Sequence, residues 1–270
     1  MYMINASIVL YNHILAEIKE LIHTLHTCSL VKDVFLIDNS PKKNDELLSL
    51  PATYIFNGKN LGYGTAHNIA IRKTIEQQIP YHLVLNPDIQ LDGNKLNELI
   101  EYMEKNECVG HLMPKTIYPD GEIQYLCKLL PKPSDLLFRR FLSSKWTKKR
   151  NDIFELRQSG YNKIMDIPYL SGCFMLLRTS VLEDIGLFDE RFFMYPEDID
   201  LTRRIHRKYR TIFYPYVSII HHHEQGSYKN FKLLLVHAWN IVKYFNKWGW
   251  FFDSERKKIN EETLKKLKLL

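Results

Sequence analysis

The first hundred residues alternate short apolar runs with segments of helical periodicity, and that alternation restricts the fold more than any other feature. Residues 6–10, 34–37, 53–56 and 82–85 are short strand-like runs, three of them almost wholly apolar. Between them, Ile14, Leu15, Ile18, Leu21, Ile22 and Leu25 recur at helical spacing, residues 64–77 form a second helical segment, and Leu96, Leu99, Ile100 and Met103 mark a third. Strands that are apolar throughout, in βαβαβ order, predict a mostly parallel, Rossmann-like sheet with helices on both faces. Such sheets bind ligands beyond the carboxyl ends of their strands. Here those ends carry Tyr11-Asn12, Asp38-Asn39 and Asn86-Pro87-Asp88.

The second half reads differently. Residues 115–126 contain Tyr118-Pro119-Asp120-Gly121-Glu122, a turn signal that predicts a hairpin. Residues 130–163 have poor periodicity and many basic side chains, and are expected to form a mobile or partly helical excursion over the active face. Strand character returns over residues 169–177, around Ser171-Gly172, and again over 211–214 and 218–220. In the tail, Phe231, Leu234, Leu235, Ala238, Ile241, Val242 and Phe245 share one helical face. Trp248, Trp250, Phe251 and Phe252 follow, and then a Lys-rich helix begins near Asp253. This tail either packs on its own domain or forms a peripheral foot, with aromatics at lipid headgroups and lysines on anionic lipid.

Composition excludes several classes. With 45% hydrophobic and 25% charged residues over 270 positions, the chain is that of an ordinary globular protein. Its four cysteines form no CxxC pair, which argues against a zinc site or a disulfide framework and fits a reducing cytosol. No signal-peptide pattern opens the chain and no apolar run approaches about 20 residues, so no spanning helix is expected. The net charge of +6 is concentrated at Lys145, Lys148, Lys149 and Arg150 and in the C-terminal lysines. Solvated helix faces explain such clusters most simply; anionic lipid or nucleic acid are the functional readings.

Function becomes arguable at Phe188-Asp189-Glu190-Arg191-Phe192-Phe193-Met194-Tyr195-Pro196-Glu197-Asp198-Ile199-Asp200-Leu201. Three carboxylates open an amphipathic helix behind a set of large apolar groups. The helix dipole favours an acid there, but three acids beside apolar surface also suit a general base. Asp88 ends a buried strand and could bind Mg²⁺ or Mn²⁺, or simply make the turn. Asp38 could accept from a nucleobase N–H or act as a turn residue before Asn39-Ser40-Pro41. The loop Asn57-Gly58-Lys59-Asn60-Leu61-Gly62-Tyr63-Gly64 opens a helix and could face a diphosphate, although it matches neither the dinucleotide fingerprint nor the P-loop. His221-His222-His223 follows a strand, and alternation puts His221 and His223 on one face. One of them could complete a metal site with Asp88, or the three could form a polar strand end.

Asp38, Asn60-Leu61-Gly62-Tyr63-Gly64, Asn86-Pro87-Asp88, Ser171-Gly172-Cys173-Phe174-Met175 and Glu197-Asp198-Ile199-Asp200-Leu201 occur in one order. That order resembles the family 2 inverting glycosyltransferases of GT-A fold, over roughly residues 4–228, and most of all their bacterial rhamnosyltransferase-like branch. The resemblance implies an α/β GT-A domain over residues 1–228, with a nucleotide-binding half to about 110 and an acceptor half from 111, followed by a helical extension over 229–270. It implies that Asp38 contacts the base, that Tyr11 lines its pocket, and that Asn60 and Gly62 shape the nucleotide site. Asn86-Pro87-Asp88 stands at the DXD-type motif, with Asp88 on the metal and Asn86 in place of the usual first acid. Ser171 and Gly172 would border the sugar, Asp198 would be the base with Glu197 beside it, and Arg204 matches a basic donor-binding position. His221, with His223 second, would contact metal or diphosphate. The Gln-X-X-Arg-Trp motif of processive synthases is missing, which implies one sugar per acceptor.

The expected cofactor is therefore Mn²⁺ or Mg²⁺. The expected donor is dTDP-rhamnose, with UDP-linked galactofuranose, glucose or galactose as competitors. The expected acceptor is a saccharide or lipid-linked saccharide in bacterial surface polysaccharide synthesis, and the expected location is cytoplasmic, peripheral on the inner face of the membrane. Two other classes compete. A sugar nucleotidyltransferase would want a glycine- and basic-rich loop after the first strand, where this chain has Leu10-Tyr11-Asn12-His13. A non-catalytic binding module using the basic tail is the third, but carboxylates at the cleft argue against nucleic acid there.

Overall fold

The computed structural model describes residues 3–137, 144–222 and 231–269. Its strands are β1 (Ile4–Leu10), β2 (Val31–Asp38), β3 (Thr53–Phe56), β4 (Tyr81–Leu85), β5 (Ile89–Gln90), β6 (Val109–Ile117), β7 (Cys127–Lys128), β8 (Met165–Asp166), β9 (Tyr169–Leu170), β10 (Phe174–Arg178) and β11 (Arg210–His221). Its helices are α1 (Leu15–Thr27), α2 (Tyr63–Glu76), α3 (Lys95–Lys105), α4 (Pro133–Leu137), α5 (Ser144–Phe154), α6 (Thr179–Ile185), α7 (Glu197–His206), α8 (Phe231–Trp248) and α9 (Ser254–Leu267). The main sheet has the order β3-β2-β1-β4-β10-β6-β11-β5, with β8 also paired to β11.

The parallel part is β3-β2-β1-β4, as the βαβαβ pattern predicts, and β6 runs parallel to β11. The departure is β10, which runs antiparallel between β4 and β6. Alternation along β4 and β10 divides the core between two faces. Leu83, Leu85, Phe174 and Leu176 pack with Ile18, Ile22, Leu99 and Ile100 of α1 and α3. Val84, Met175 and Leu177 pack with Ile71, Val181, Leu201 and Ile205 of α2, α6 and α7. The runs expected at 211–214 and 218–220 are one strand, β11, whose register shifts between Tyr214 and Ser218, around Pro215. The expected hairpin is a tight turn, closed by Tyr118 N–H to the Glu122 carbonyl and a single bridge between Ile117 and Ile123.

The described parts of the 130–163 excursion are helical and pack toward the C-terminus. Asn260 Nδ2 donates to the Leu130 carbonyl and Leu130 N–H donates to Asn260 Oδ1. Ile241, Tyr244, Phe245 and Leu267 share a core with Met113, Phe192, Ile199 and Phe213, so the C-terminal helices pack on the body of the protein. Trp239, Phe251 and Phe252 nevertheless remain exposed. Among the described residues no helix is long and apolar enough to cross a membrane.

Helix α8 also grips the segment that leads into α7. Asn240 Oδ1 accepts Phe193 N–H, Lys243 donates to the Arg191 carbonyl, and the His237 ring lies 4.2 Å from that of Tyr195. Asp200, fully buried, receives Arg204 Nε and Trp248 Nε1, each at 2.8 Å, and Lys247 Nζ at 2.5 Å. Removing this carboxylate leaves the largely buried Arg204 without its anion and Lys247 with Asp189 alone. Asp200→Ala is therefore expected to lower unfolding free energy by about 3–5 kcal/mol, read from urea denaturation; a loss within the ±0.5 kcal/mol typical of surface changes would contradict the assignment.

Candidate active site

Strand β5 explains how Asp88 meets a residue from the far end of the chain. It pairs antiparallel with the end of β11, opposing His221 to Ile89, and His222 N–H donates to the Asp88 carbonyl. His221 Nε2 consequently lies 3.3 Å from Asp88 Oδ1 and 3.3 Å from Asn86 Nδ2. The other face of the imidazole is fixed by Gln124: its Oε1 lies 2.8 Å from Nδ1, and its Nε2 donates to the His221 carbonyl. That pairing places the ring proton on Nδ1 and leaves a lone pair on Nε2. An imidazole lone pair and a carboxylate oxygen at this spacing suit a cation shared between them. His222 is exposed on the opposite side of the strand, and His223 lies outside the described residues. Among the described residues no cluster of three or more His, Cys, Asp or Glu is poised to hold a metal. Asp88 and His221 would therefore be a two-ligand site completed by water and substrate phosphates, the usual habit of Mg²⁺; the imidazole is the softer of the two donors.

The second half of the site is built on the stretch between β9 and β10. Asn86 N–H donates to the Cys173 carbonyl at 2.9 Å, which seats residues 171–173 beside the end of β4. Gly172 N–H donates to Asp198 Oδ2 at 2.9 Å, and a Cβ at residue 172 would stand 3.1 Å from that of Asp198. The Tyr63 hydroxyl lies 3.0 Å from Asn86 Oδ1 and 2.8 Å from the Gly172 carbonyl. A continuous set of contacts thus runs from Asp88 through His221, Asn86, Tyr63 and Gly172 to Asp198. Ser171 adjoins it, half-buried.

The three acids of α7 have three different settings. Asp200 is held in ion pairs. Among the described residues Asp198 has no cationic partner in hydrogen-bond contact; its oxygens take the backbone N–H groups of Gly172 and Ile199. Burial pushes its pKa up to about 6, against the pull of the Gly172 N–H and the Lys128 charge. Burial, and then the charge of Asp198, push Glu197 well above the usual carboxylate range, and its Oε2 has no hydrogen-bond partner among the described residues. The two therefore titrate as a pair. Burial, and the acids Asp88 and Asp198 nearby, push the Cys173 thiol up to about 12, so it stays neutral.

Other expected residues are placed less directly. Asp38 is fully buried; Oδ1 accepts Ser40 N–H and Oδ2 accepts the Tyr54 hydroxyl at 2.5 Å, so the fold already uses both of its oxygens. Tyr11 is half exposed at the end of β1. Asn60 Oδ1 accepts Gly62 N–H and the side-chain amide of Asn39, which shapes the loop. Gly62 has φ +87°, and a Cβ there would fall 2.3 Å from the Phe193 carbonyl oxygen. This glycine lets the 188–196 segment lie on the start of α2. The guanidinium of Arg204 donates to Asp200 and to the carbonyls of Ile185, Gly186 and Leu187, which ties α7 to the end of α6. Tyr63 and Gln124 were not singled out from the sequence. Tyr63 sits inside the glycine loop that was; Gln124 carries no local signal, since only the pairing of β5 with β11 brings it to His221.

Comparison with known proteins agrees with this fold. The family model described as Glycosyl transferase family 2 matches residues 7–186. An N-acetylglucosaminyl-diphospho-decaprenol L-rhamnosyltransferase of Mycobacterium tuberculosis is 28% identical over 174 residues, which cover 61% of this chain and 57% of the relative. The rhamnosyltransferase WbbL of Escherichia coli K12 is 29% identical over 180 residues, 62% of this chain and 64% of the relative. The chain thus spans about three fifths of the length of these curated relatives. Among solved structures, S. aureus TarS superposes over 97% of this chain and 43% of its own at TM-score 0.58 and 15% identity. GalNAc-T7, with UDP, GalNAc and Mn²⁺, superposes over 82% of this chain and 44% of its own at TM-score 0.58 and 14% identity, a likeness of GT-A fold. With a family model covering about two thirds of its length, the chain belongs to the family 2 glycosyltransferases.

Proposed function

We propose that this glycosyltransferase moves one sugar, rhamnose from dTDP-rhamnose, to a saccharide carried on a lipid diphosphate, with inversion at the anomeric carbon. The observation that carries the reading is the unbroken set of contacts joining Asp88 and His221 to Asp198 through Asn86, Tyr63 and Gly172. The rhamnosyltransferase names of the relatives support the sugar, and the decaprenol in one of them supports the lipid.

In this mechanism Asp198 accepts the proton of the acceptor hydroxyl as its oxygen attacks the anomeric carbon. The bond from that carbon to the diphosphate breaks, and nucleoside diphosphate departs from the opposite face. A carboxylate raised by burial is a stronger base than an exposed one, and the Gly172 N–H holds it in a fixed orientation. Tyr63, whose hydroxyl burial and the neighbouring thiol and acids keep protonated, can donate a hydrogen bond. Asp88 and His221 would hold a divalent cation, which when bound offsets negative charge on the leaving diphosphate. The C-terminal helices would rest on an anionic membrane surface through their exposed aromatics and lysines.

A panel of nucleotide sugars, with Mn²⁺ and with Mg²⁺, tests the donor. dTDP-rhamnose should be consumed at least tenfold faster than any UDP-sugar, and the product should show inverted configuration by NMR; preferential use of a UDP-hexose would reject the donor.

Asp198→Asn should lower kcat by about 10² to 10⁴ while leaving donor affinity unchanged. The pH dependence has a definite sign. A base titrating near 6 is lost as it protonates, so transfer should fall as pH drops through about 6. Stability moves the other way: a carboxyl whose folded pKa is raised binds its proton more tightly in the native state, so stability declines as pH rises from about 4 to 6. The difference in Tm between wild type and Asp198→Asn should grow across that window in favour of the variant; a variant less stable than wild type at pH 7 would contradict a buried, unpaired carboxylate.

Gln124 gives a separate check on the cation. Gln124→Leu frees the imidazole to rotate or change tautomer, and should weaken apparent Mn²⁺ affinity by about 10- to 100-fold with near-normal transfer at saturating Mn²⁺. An unchanged Mn²⁺ titration would remove His221 from the cation site.

A further inference from the structure

Four polar side chains lie in the layer between the sheet and α2, and the chemistry above uses none of them: Ser7 on β1, His82 on β4, and His67 and Thr74 on α2, all fully buried. Ile71, Val84 and Phe188 of the same layer form an apolar cluster. Ser7 Oγ lies 2.7 Å from His67 Nδ1 and 2.7 Å from His82 Nε2, and Thr74 Oγ1 lies 2.7 Å from His82 Nδ1.

The position of every proton in this row follows from its far end. The Thr74 hydroxyl donates to the Ala70 carbonyl at 3.0 Å, so toward His82 it can only accept. His82 Nδ1 therefore carries the ring proton. Burial pulls the pKa of His82 down to about 3, so the ring is neutral, its Nε2 is a lone pair, and Ser7 donates to it. The Ser7 oxygen then accepts from His67 Nδ1–H. Burial, and after it the nearness of His82, hold His67 well below the ordinary histidine range. Its Nε2 is therefore bare as well, and that atom is buried with no hydrogen-bond partner among the described residues. A row ending in an unpaired acceptor gives up stability that apolar side chains would keep. What it secures is orientation, because an imidazole gripped at Nδ1 cannot turn in its socket.

The oriented ring borders the candidate active site. His67 and Tyr63 stand one helical turn apart on α2, with ring centres 4.4 Å apart and planes at 68°. Phe188 flanks both, 6.4 Å from Tyr63 and 6.2 Å from His67. The Tyr63 hydroxyl stands 3.0 Å from Asn86 Oδ1 and 2.8 Å from the Gly172 carbonyl. With one proton for two acceptors, it stays within reach of both only if its ring is confined to a narrow arc. We propose that His67 is a positioning residue for sugar transfer: anchored through Ser7, it holds the Tyr63 ring where the hydroxyl joins Asn86 to Gly172. The assignment rests on the roles proposed above for Asp88, His221 and Asp198, and on no particular sugar. Without the anchor, the half of the site that carries Asp88 and His221 loses its side-chain link to the half that carries Asp198.

The test uses the full chain, the variants Ser7→Ala and His67→Phe, and whichever nucleotide sugar the donor panel selects. Ser7→Ala removes the anchor and keeps the imidazole; His67→Phe keeps a ring and leaves no imidazole nitrogen unpaired. Each should lower kcat about fivefold, the worth of one hydrogen bond, and leave donor KM unchanged. Tyr63→Phe should lower kcat at least as much. In that background, which already lacks the hydroxyl, neither variant should lower kcat further. A merely structural role would lower Tm alone, or lower kcat by the same factor with and without the hydroxyl, and either result overturns the proposal. So does an unchanged kcat in Tyr63→Phe. A second measurement needs no variant. Long-range nitrogen–proton NMR spectra of wild type with labelled histidine should show His67 protonated at Nδ1 and bare at Nε2; a proton on Nε2 overturns the anchor even where transfer is intact. If no nucleotide sugar is transferred, the function proposed above falls and this role with it. Transfer with additive variants rejects this role alone.

Discussion

A single backbone hydrogen bond, from Asn86 N–H to the Cys173 carbonyl, sets the geometry on which the candidate site depends. It exists because β10 enters antiparallel beside β4, so the approach to β10 lies against the carboxyl end of β4. Parallel sheets open their ligand crevices at those ends. The antiparallel strand fills what would be the next parallel position and delivers Ser171, Gly172 and Cys173 there instead. A side chain at 172 would crowd Asp198, whose Cβ lies 3.1 Å from where a Cβ at 172 would stand. The pair proposed to hold a cation and the proposed base therefore lie on two sides of one three-residue stretch, whose position follows from the pairing of β10 with β4.

Burial then differentiates acids that look equivalent in sequence. A carboxylate taken out of water is tolerated only if paired, hydrogen-bonded or protonated. Asp200 takes the first route, Asp198 the second and Glu197 the third. The helix dipole favours all three at the start of α7, but it cannot by itself account for their different partners. Those partners come from elsewhere in the chain: Lys247 and Trp248 from α8, and Gly172 from the approach to β10.

The parts of this protein that could be read from residue patterns are those governed by local physics. The alternation of apolar strands with amphipathic helices located β1 to β4 and α1 to α3, because each buries a periodic face. Strand ends and glycines drew attention to Asn86, Asp88 and Gly62. The antiparallel direction of β10 was not legible, since a five-residue buried strand looks the same in either sense. Gln124 and Tyr63 went without roles because their partners lie across the sheet. The Asp200–Arg204 ion pair follows the i to i+4 helical interval, whereas a donor-binding role for Arg204 came only with the family resemblance.

The family match ends at residue 186, while Asp198 and the helices that carry and brace it lie beyond; Gly172, its backbone donor, lies within. That division has a physical meaning. The segment 188–200 is pinned from two directions: Asn68 bonds both the N–H and the carbonyl of Phe188, and α8 holds Asp189, Arg191, Phe193 and Asp200. Buried Arg203 ties α7 to Asp253 and Glu255 at the start of α9 and stacks on Trp248. A base carried on α7 can hold its orientation only if this double attachment persists. The C-terminal helices are thus a structural part of the candidate active site.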